Sequence, residues 1–427
     1  MKKAYLYVLA TLFCMTASSQ NLLEKYKSGS IKLIPDPEYA VGNEWNKVFE
    51  TYYDTIYNKP MGNRKSIILM PDGSVVVNHA YHNYYSKFDP NGKFVKEFGI
   101  IDSQGNQFKK TNHIDGIVNN NTFFTGLDNM GKMICFDFDG HFKKTLTIDY
   151  ATKQMIALPN GKIAVVGWVI WKTKFRDFVA IVDYNTNEQK VIWEHFTERT
   201  PLNADNSLFN YSHLYKVRGA FSFTTMPFSK NLGLNSKPKI AVLGNSLVIA
   251  FPGTGEIKIF DLDGNLKSTE QINWERNNIS VDEQIEIQKK AIDEFETNPF
   301  KIYRPATVSD EEYSEVKSQI LKKMKSDLEK IKDPIPLPYF STIIKDSDDN
   351  LLFFEYPKEK NGNKFNVWVY KQSGNFECQS SFVCDDYELE INPSKLVFYN
   401  GYIYGLQLKK DVDGNPLRLV RFTLSSE

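Results

Sequence analysis

Leu243-Gly244-Asn245, Ser246-Leu247-Val248-Ile249-Ala250 and Phe260-Asp261-Leu262-Asp263-Gly264-Asn265 follow one another within a short stretch of this chain. A tight polar turn opens a hydrophobic strand, and an aspartate–glycine turn closes a later one. Glycine supplies the positive φ that a short hairpin demands, and Asp or Asn tolerates the neighbouring position. The arrangement recurs. The first turn of each unit is Pro71-Asp72-Gly73, Asn119-Asn120-Asn121, Pro159-Asn160-Gly161, Leu243-Gly244-Asn245, Asp348-Asp349-Asn350 and Asn400-Gly401. The second is Asn91-Gly92, Asp139-Gly140, Thr186-Asn187, Asp263-Gly264, Ser373-Gly374 and Asp413-Gly414. From Asp72 to Asn91, from Asn120 to Asp139 and from Gly244 to Asp263 the offset is 19 residues. Two hairpin turns make four strands, so six such units predict an all-β, six-bladed β-propeller.

The second turns share a sequence as well as a spacing. Phe88-Asp89-Pro90-Asn91-Gly92-Lys93 and Phe136-Asp137-Phe138-Asp139-Gly140-His141 match the stretch quoted above, with worn copies at Val182-Asp183 and Tyr370-Lys371. The pattern resembles the exported six-bladed propellers of the NHL and TolB-like type common in Bacteroidota, over roughly residues 31–424. A ring of blades must be closed. Ile31-Lys32-Leu33-Ile34 is a strand placed to complete the last blade, and Pro35 ends it.

The chain opens with Lys2 and Lys3, an apolar run from Ala4 to Met15, and small residues up to Gln20. That is a secretory signal peptide over 1–19, which leaves a single propeller domain over 20–427. The run is shorter than the roughly 20 apolar residues of a membrane span, and no later segment could span a bilayer. Lipidation at Cys14 is the less favoured alternative, because Phe13 stands where a small residue is expected. Export predicts the periplasm, the cell surface or the medium. Basic and acidic residues balance at 52 each, which excludes an electrostatic footprint for nucleic acid. Aromatics make 14% of the chain, as suits broad sheet faces packed on one another. In an exported chain, Cys378 and Cys384 suggest a disulfide, whereas Cys135 sits in an apolar strand as a buried thiol.

Two excursions break the repeat. One runs over 198–237 and lengthens blade four. The other, 278–334 between blades four and five, is helical: Ser280 with Glu283 and Ser309 with Glu312 are capping boxes ahead of apolar residues at helical spacing. Each helix carries one apolar stripe, so the pair must dock on the propeller's flank, cover a channel mouth or hold a partner.

Six residues past the first turns stand His79, Leu127, Gly167, Phe251, Tyr356 and Gln407, with His82, Trp168 and Glu355 beside them. If a ligand face exists where blade loops converge, His79, His82, Trp168, Phe251, Glu355 and Gln407 line it, and they suit a small polar or sugar-like molecule. The bland alternative is ordinary strand ends. Tyr81, Tyr84 and Tyr85 add stacking surfaces or pack between blades. The lyase relatives implied by the resemblance place histidines from several blades on a central metal. Here His79, His113 and Asp115 are the candidates for zinc or calcium, with Glu355 a further carboxylate for lactonase-like chemistry. Asp346, Asp348 and Asp349 imitate a calcium loop but lack its glycine and distal glutamate, so they predict a solvated turn. Nucleophile-elbow, zinc-protease and phosphate-loop signatures are absent. The favoured expectation is a monomeric, non-catalytic envelope propeller without cofactor that binds a small molecule, a glycan or an envelope protein. The alternative is a metal-dependent hydrolase or lyase.

Overall fold

The computed structural model describes residues 21–50, 53–54, 59–60, 66–78, 84–99, 117–119, 123–128, 132–171, 174–198, 212–214, 221–223, 237–297, 307–356, 363–371 and 373–426. A short helix, α1 (Leu22–Lys27), leads into β1 (Ile31–Pro35). A first antiparallel sheet follows from β2 (Ile67–Leu69), β3 (Val75–Asn78), β4 (Tyr84–Phe88) and β5 (Phe94–Gly99). The second comprises β6 (Ile117–Asn119), β7 (Phe123–Asp128), β8 (Lys132–Phe136) and β9 (Phe142–Thr147). The third comprises β10 (Ala151–Ala157), β11 (Ile163–Trp171), β12 (Lys174–Val182) and β13 (Gln189–Glu198). The fourth comprises β14 (Lys239–Leu243), β15 (Ser246–Ala250), β16 (Glu256–Asp261) and β17 (Leu266–Gln271).

Two helices come next, α2 (Val281–Thr297) and α3 (Asp310–Leu328). The chain then returns to strands: β18 (Thr342–Lys345), β19 (Leu351–Phe354), β20 (Lys364–Tyr370) and β21 (Phe376–Val383). It ends with β22 (Leu396–Tyr399), β23 (Tyr402–Lys409) and β24 (Leu417–Ser426). The N-terminal strand completes this last group. β1 runs antiparallel to β24, with Ile31 opposite Ser426 and Pro35 opposite Phe422. Its first two residues also pair, in parallel, with Phe382 and Val383 of β21, which fuses the last two groups into one nine-stranded sheet. Asp36 seals the junction: its carboxylate accepts from Arg421 Nε at 2.9 Å, and its amide donates to the Arg421 carbonyl.

The leading strand of each group touches the leading strand of the next. β2 contacts β6, β6 contacts β10, and so on through β14, β18 and β22; β22 then contacts β2. The Ile67 amide donates to the Ser394 carbonyl at that last junction. Strand periodicity explains how the core is divided. Ile163 and Val165 face the second sheet, while Ala164 and Val166 face the fourth. Likewise Leu351 and Phe353 pack towards the fourth sheet, and Leu352 and Phe354 towards the last group. A strand buried on both faces reads as an unbroken apolar run, and these do.

The conserved-looking turns have one physical basis. A single aspartate oxygen accepts the amides two and four residues ahead: Asp89 takes Asn91 and Lys93, Asp137 takes Asp139 and His141, and Asp261 takes Asp263 and Asn265. Gly140 and Gly264 hold φ values of +88° and +80°, and a Cβ there would lie 2.6 Å from Phe98 and 2.4 Å from Ile192. Conformation and close approach both demand glycine.

Three expectations need correction. Cys378 and Cys384 are free thiols. They stand six residues apart along β21 and its end, a span of about 20 Å in extended chain, whereas a disulfide holds its Cα atoms within about 7 Å. The excursion over 198–237 separates β13 from β14, so it lies between sheets rather than within one. The helical pair docks on itself: Ala291, Ile292, Phe295, Val308, Val316, Ile320 and Met324 form a private core. Its first capping box forms as read, with Ser280 and Glu283 exchanging bonds at 2.7 and 3.2 Å, and at the second the Ser309 hydroxyl accepts the Glu312 amide at 3.2 Å. Cys135 is fully buried, as its apolar strand implied.

Candidate functional site

Four of the leading strands line an open cavity of about 400 Å³. Its wall comes from β10 and the residues after it (Gln154 to Pro159), from Ile240, Ala241 and Val242 of β14, from Ile343, Ile344 and Lys345 of β18, and from Pro393 and β22. These positions run towards the first-turn end of each strand. Ala157 stands opposite Ile163, and Lys345 opposite Leu351. The wall is almost wholly aliphatic and aromatic. Gln154 spends its amide on the neighbouring strand, donating to the Ile240 carbonyl at 2.9 Å and accepting from its amide at 3.0 Å. Lys345 is the sole formal charge in the lining, and its ammonium contacts Asp349 at 2.7 Å.

The residues singled out from sequence lie elsewhere. Trp168 stands opposite Ala151, at the far end of β10 from the cavity. Its half-buried ring meets Phe175 at 6.0 Å, with the Lys153 and Lys237 ammonium groups 5.5 and 5.9 Å from its centre. Phe251 packs on Trp193 at 4.9 Å, wedged between the third and fourth sheets. Gln407 is 1% exposed and braces the loop before β22: its oxygen accepts from the Glu390 amide, and its nitrogen donates to the Lys395 carbonyl. None of the three lines the cavity. His79, His82, His113 and Asp115 lie outside the described residues, as does Tyr81. Tyr85 is a core residue, 1% exposed and stacked on Phe98 at 5.4 Å.

Glu355 has the densest polar environment of the predicted set. One carboxylate oxygen accepts from Trp368 Nε1 at 2.8 Å and Gln379 Nε2 at 3.0 Å; the other accepts from Asn366 Nδ2 at 3.2 Å and Asn277 Nδ2 at 3.4 Å. These donors come from β20, β21 and the foot of the helical insertion, away from the leading strand. The indole of Trp368 in turn stacks flat on Trp274 at 4.7 Å. Glu355 therefore ties the insertion's foot to the outer half of its sheet.

Two carboxylate groups have a different role from the one read in sequence. Asp346 is not a solvated turn residue: it is 2% exposed, accepts the Tyr26 hydroxyl at 3.0 Å, and burial pushes its carboxyl up despite donors from Asn350. Asp348 accepts the Leu22 amide at 2.8 Å, so this turn caps and anchors α1. Asp137, Asp139 and His141 also converge on the surface. Burial alone would raise the Asp137 carboxyl; the His141 amide, the Lys143 ammonium and the His141 ring outweigh it and hold it down to about 2. That cluster is a salt-bridged turn.

The cavity wall lies on the other side of the first turns from the residues singled out in the sequence. The residues that precede them line it: Leu158, Val242, Lys345 and Phe398. An apolar run that ends just before the first turn, as at Leu158, Val242 and Phe398, was the available signal.

No protein-family model matches the chain, and no characterised protein matches it by sequence. Among solved structures, it is similar to a Bacteroides fragilis protein described as exported, at 9% identity and a TM-score of 0.42, over 86% of this chain and 91% of that one. A member of the DUF4221 family from Bacteroides vulgatus matches at 12% identity and a TM-score of 0.41, over 94% of this chain and all of that one, 100%. The β-propeller domain of Cps50 (Swd1) from Myceliophteria thermophila matches at 10% identity and a TM-score of 0.37, over 85% and 97%. The structural neighbours are β-propeller proteins. Among the described residues, no helix is long and apolar enough to cross a membrane.

Proposed function

We propose that the chain is an exported six-bladed propeller of the NHL/TolB-like kind that binds a small, largely apolar molecule in its central cavity without transforming it. The blade count is supported by the circuit of leading strands and by the closure of the last group with β1. Export is supported by the basic, apolar and small-residue order of the first twenty positions. The observation that carries the binding reading is the cavity itself, whose largely apolar wall offers surface to bury and whose two polar side chains, Gln154 and Lys345, are already engaged. Its volume falls in the range of small-molecule pockets, about 300–1,000 Å³. Apolar burial there is worth roughly 25 cal/mol per Å² removed from water.

The test is a thermal-shift and calorimetric titration of the mature chain with 1-decanol, with neutral oligosaccharides and with zinc or calcium. The reading expects decanol to raise the melting temperature and to bind once per chain, and Ala157→Trp, which fills the cavity, to abolish both. Stabilisation by a glycan that is unaffected by Ala157→Trp would move the site to the loop face. Stoichiometric zinc lost in His113→Ala would favour the hydrolase or lyase instead.

A further inference from the structure

We infer that the cavity's ligand is amphipathic and anionic, an aliphatic or aromatic body carrying a carboxylate-like head that Lys345 receives. The inference rests on the cavity reading above and names the ligand class for that same site. Three observations lead to it. The body of the wall is apolar on β10, β14, β18 and β22, so what fills it must be apolar over most of its surface. Among the described lining residues Lys345, at the end of β18, alone carries a formal charge, and its ammonium lies on the surface beside Asp349. A hydrocarbon with no head group would leave that ammonium beside an apolar surface. A cationic one would be repelled by it.

The third observation concerns Lys345 itself. It pairs with Asp349, four residues on, at 2.7 Å, and both side chains are well exposed, at 44% and 53%. An exposed pair of that kind contributes little, so exchanging Asp349 for a ligand carboxylate costs little. A ligand whose apolar tail is buried in the cavity presents its carboxylate to that ammonium at high effective concentration, and the bond it forms is charge-assisted. Asp349 thus acts as a stand-in for the ligand's head. It sits at φ +60°, a conformation that asparagine tolerates, so Asp349→Asn removes the charge without disturbing the turn. The other acids of this turn face away, since Asp346 is bound to Tyr26 and Asp348 to the Leu22 amide.

The probes are decanoate and 1-decanol at pH 8, titrated calorimetrically into the wild-type chain and into Lys345→Gln, Asp349→Asn and Ala157→Trp. Decanoate is expected to bind about five- to tenfold more tightly than decanol, a preference that shrinks with added salt. Lys345→Gln should reduce decanoate to the affinity of decanol and leave decanol unchanged. Asp349→Asn should tighten decanoate alone. Equal binding of the two probes in the wild type, with both lost in Ala157→Trp, would overturn the anionic head while leaving the cavity reading in place. Binding of neither probe would overturn the cavity reading itself.

Discussion

At the residue scale, the chain is organised by a few carboxylates whose environments differ. Backbone amides hold the carboxyls of Asp261 and Asp137 down, that of Asp137 to about 2. Its stabilisation is present above the unfolded carboxyl value of about 3.9 and is lost as pH falls towards about 2. Asp137→Ala should therefore cost about 1–2 kcal/mol at pH 7, from the loss of charged hydrogen bonds. The cost should shrink steadily in urea melts between pH 4 and 2; a penalty that does not change with pH would show that the charge plays no part. Asp346 behaves oppositely. Buried against Tyr26, it is pushed up rather than down, and a pattern of three acids in four residues gave no sign of it. Burial of a turn depends on what another part of the chain brings to it, here α1 from more than three hundred positions away. Glu355 and Gln407 make the same point. Their residue type was legible, but their partners, Asn277 and the backbone of Glu390 and Lys395, were not.

At the element scale, the strands were readable because each is buried on two faces and each turn demands glycine or an Asx residue. The helices were readable from their caps and stripes, yet not their docking. An apolar stripe states that a partner is needed and not which one, and α2 and α3 satisfy each other. The insertion's feet pair as a short ribbon, with Ile279 opposite Ile335. Replacing residues 280–334 with Asn-Gly should thus close a two-residue hairpin over an intact body. Cooperative thermal unfolding should persist, with the melting temperature within a few degrees of the parent. A broad, non-cooperative melt would mean that the helices belong to the propeller's core. The disulfide expectation failed at this scale too: two cysteines near in sequence are far apart once the segment between them is a strand.

At the scale of the whole molecule, the repeat in the sequence predicted the ring, and the N-terminal strand closes the circuit of sheets. Leu22, Leu23, Tyr26, Ile31 and Leu33 are all buried in that closure. At roughly 1.5–3 kcal/mol each they contribute at most about 7–15 kcal/mol, comparable to the entire stability of a typical domain. A chain beginning at Pro37 should lose cooperative unfolding and regain it when a peptide spanning 21–36 is added. Independence from the peptide would show that β1 is an accessory. The cavity, by contrast, was not legible, because its wall is made of ordinary apolar strand residues that only ring geometry brings to one axis. The central claim is that this axis binds a ligand, and the most direct test is a crystal structure of the mature chain grown with 10-bromodecanoate. An anomalous bromine peak is expected between β14 and β22, with the carboxylate within hydrogen-bonding distance of Lys345. A bromine peak at the loop face beside Glu355, or an axis that remains unoccupied at saturating ligand, would contradict it.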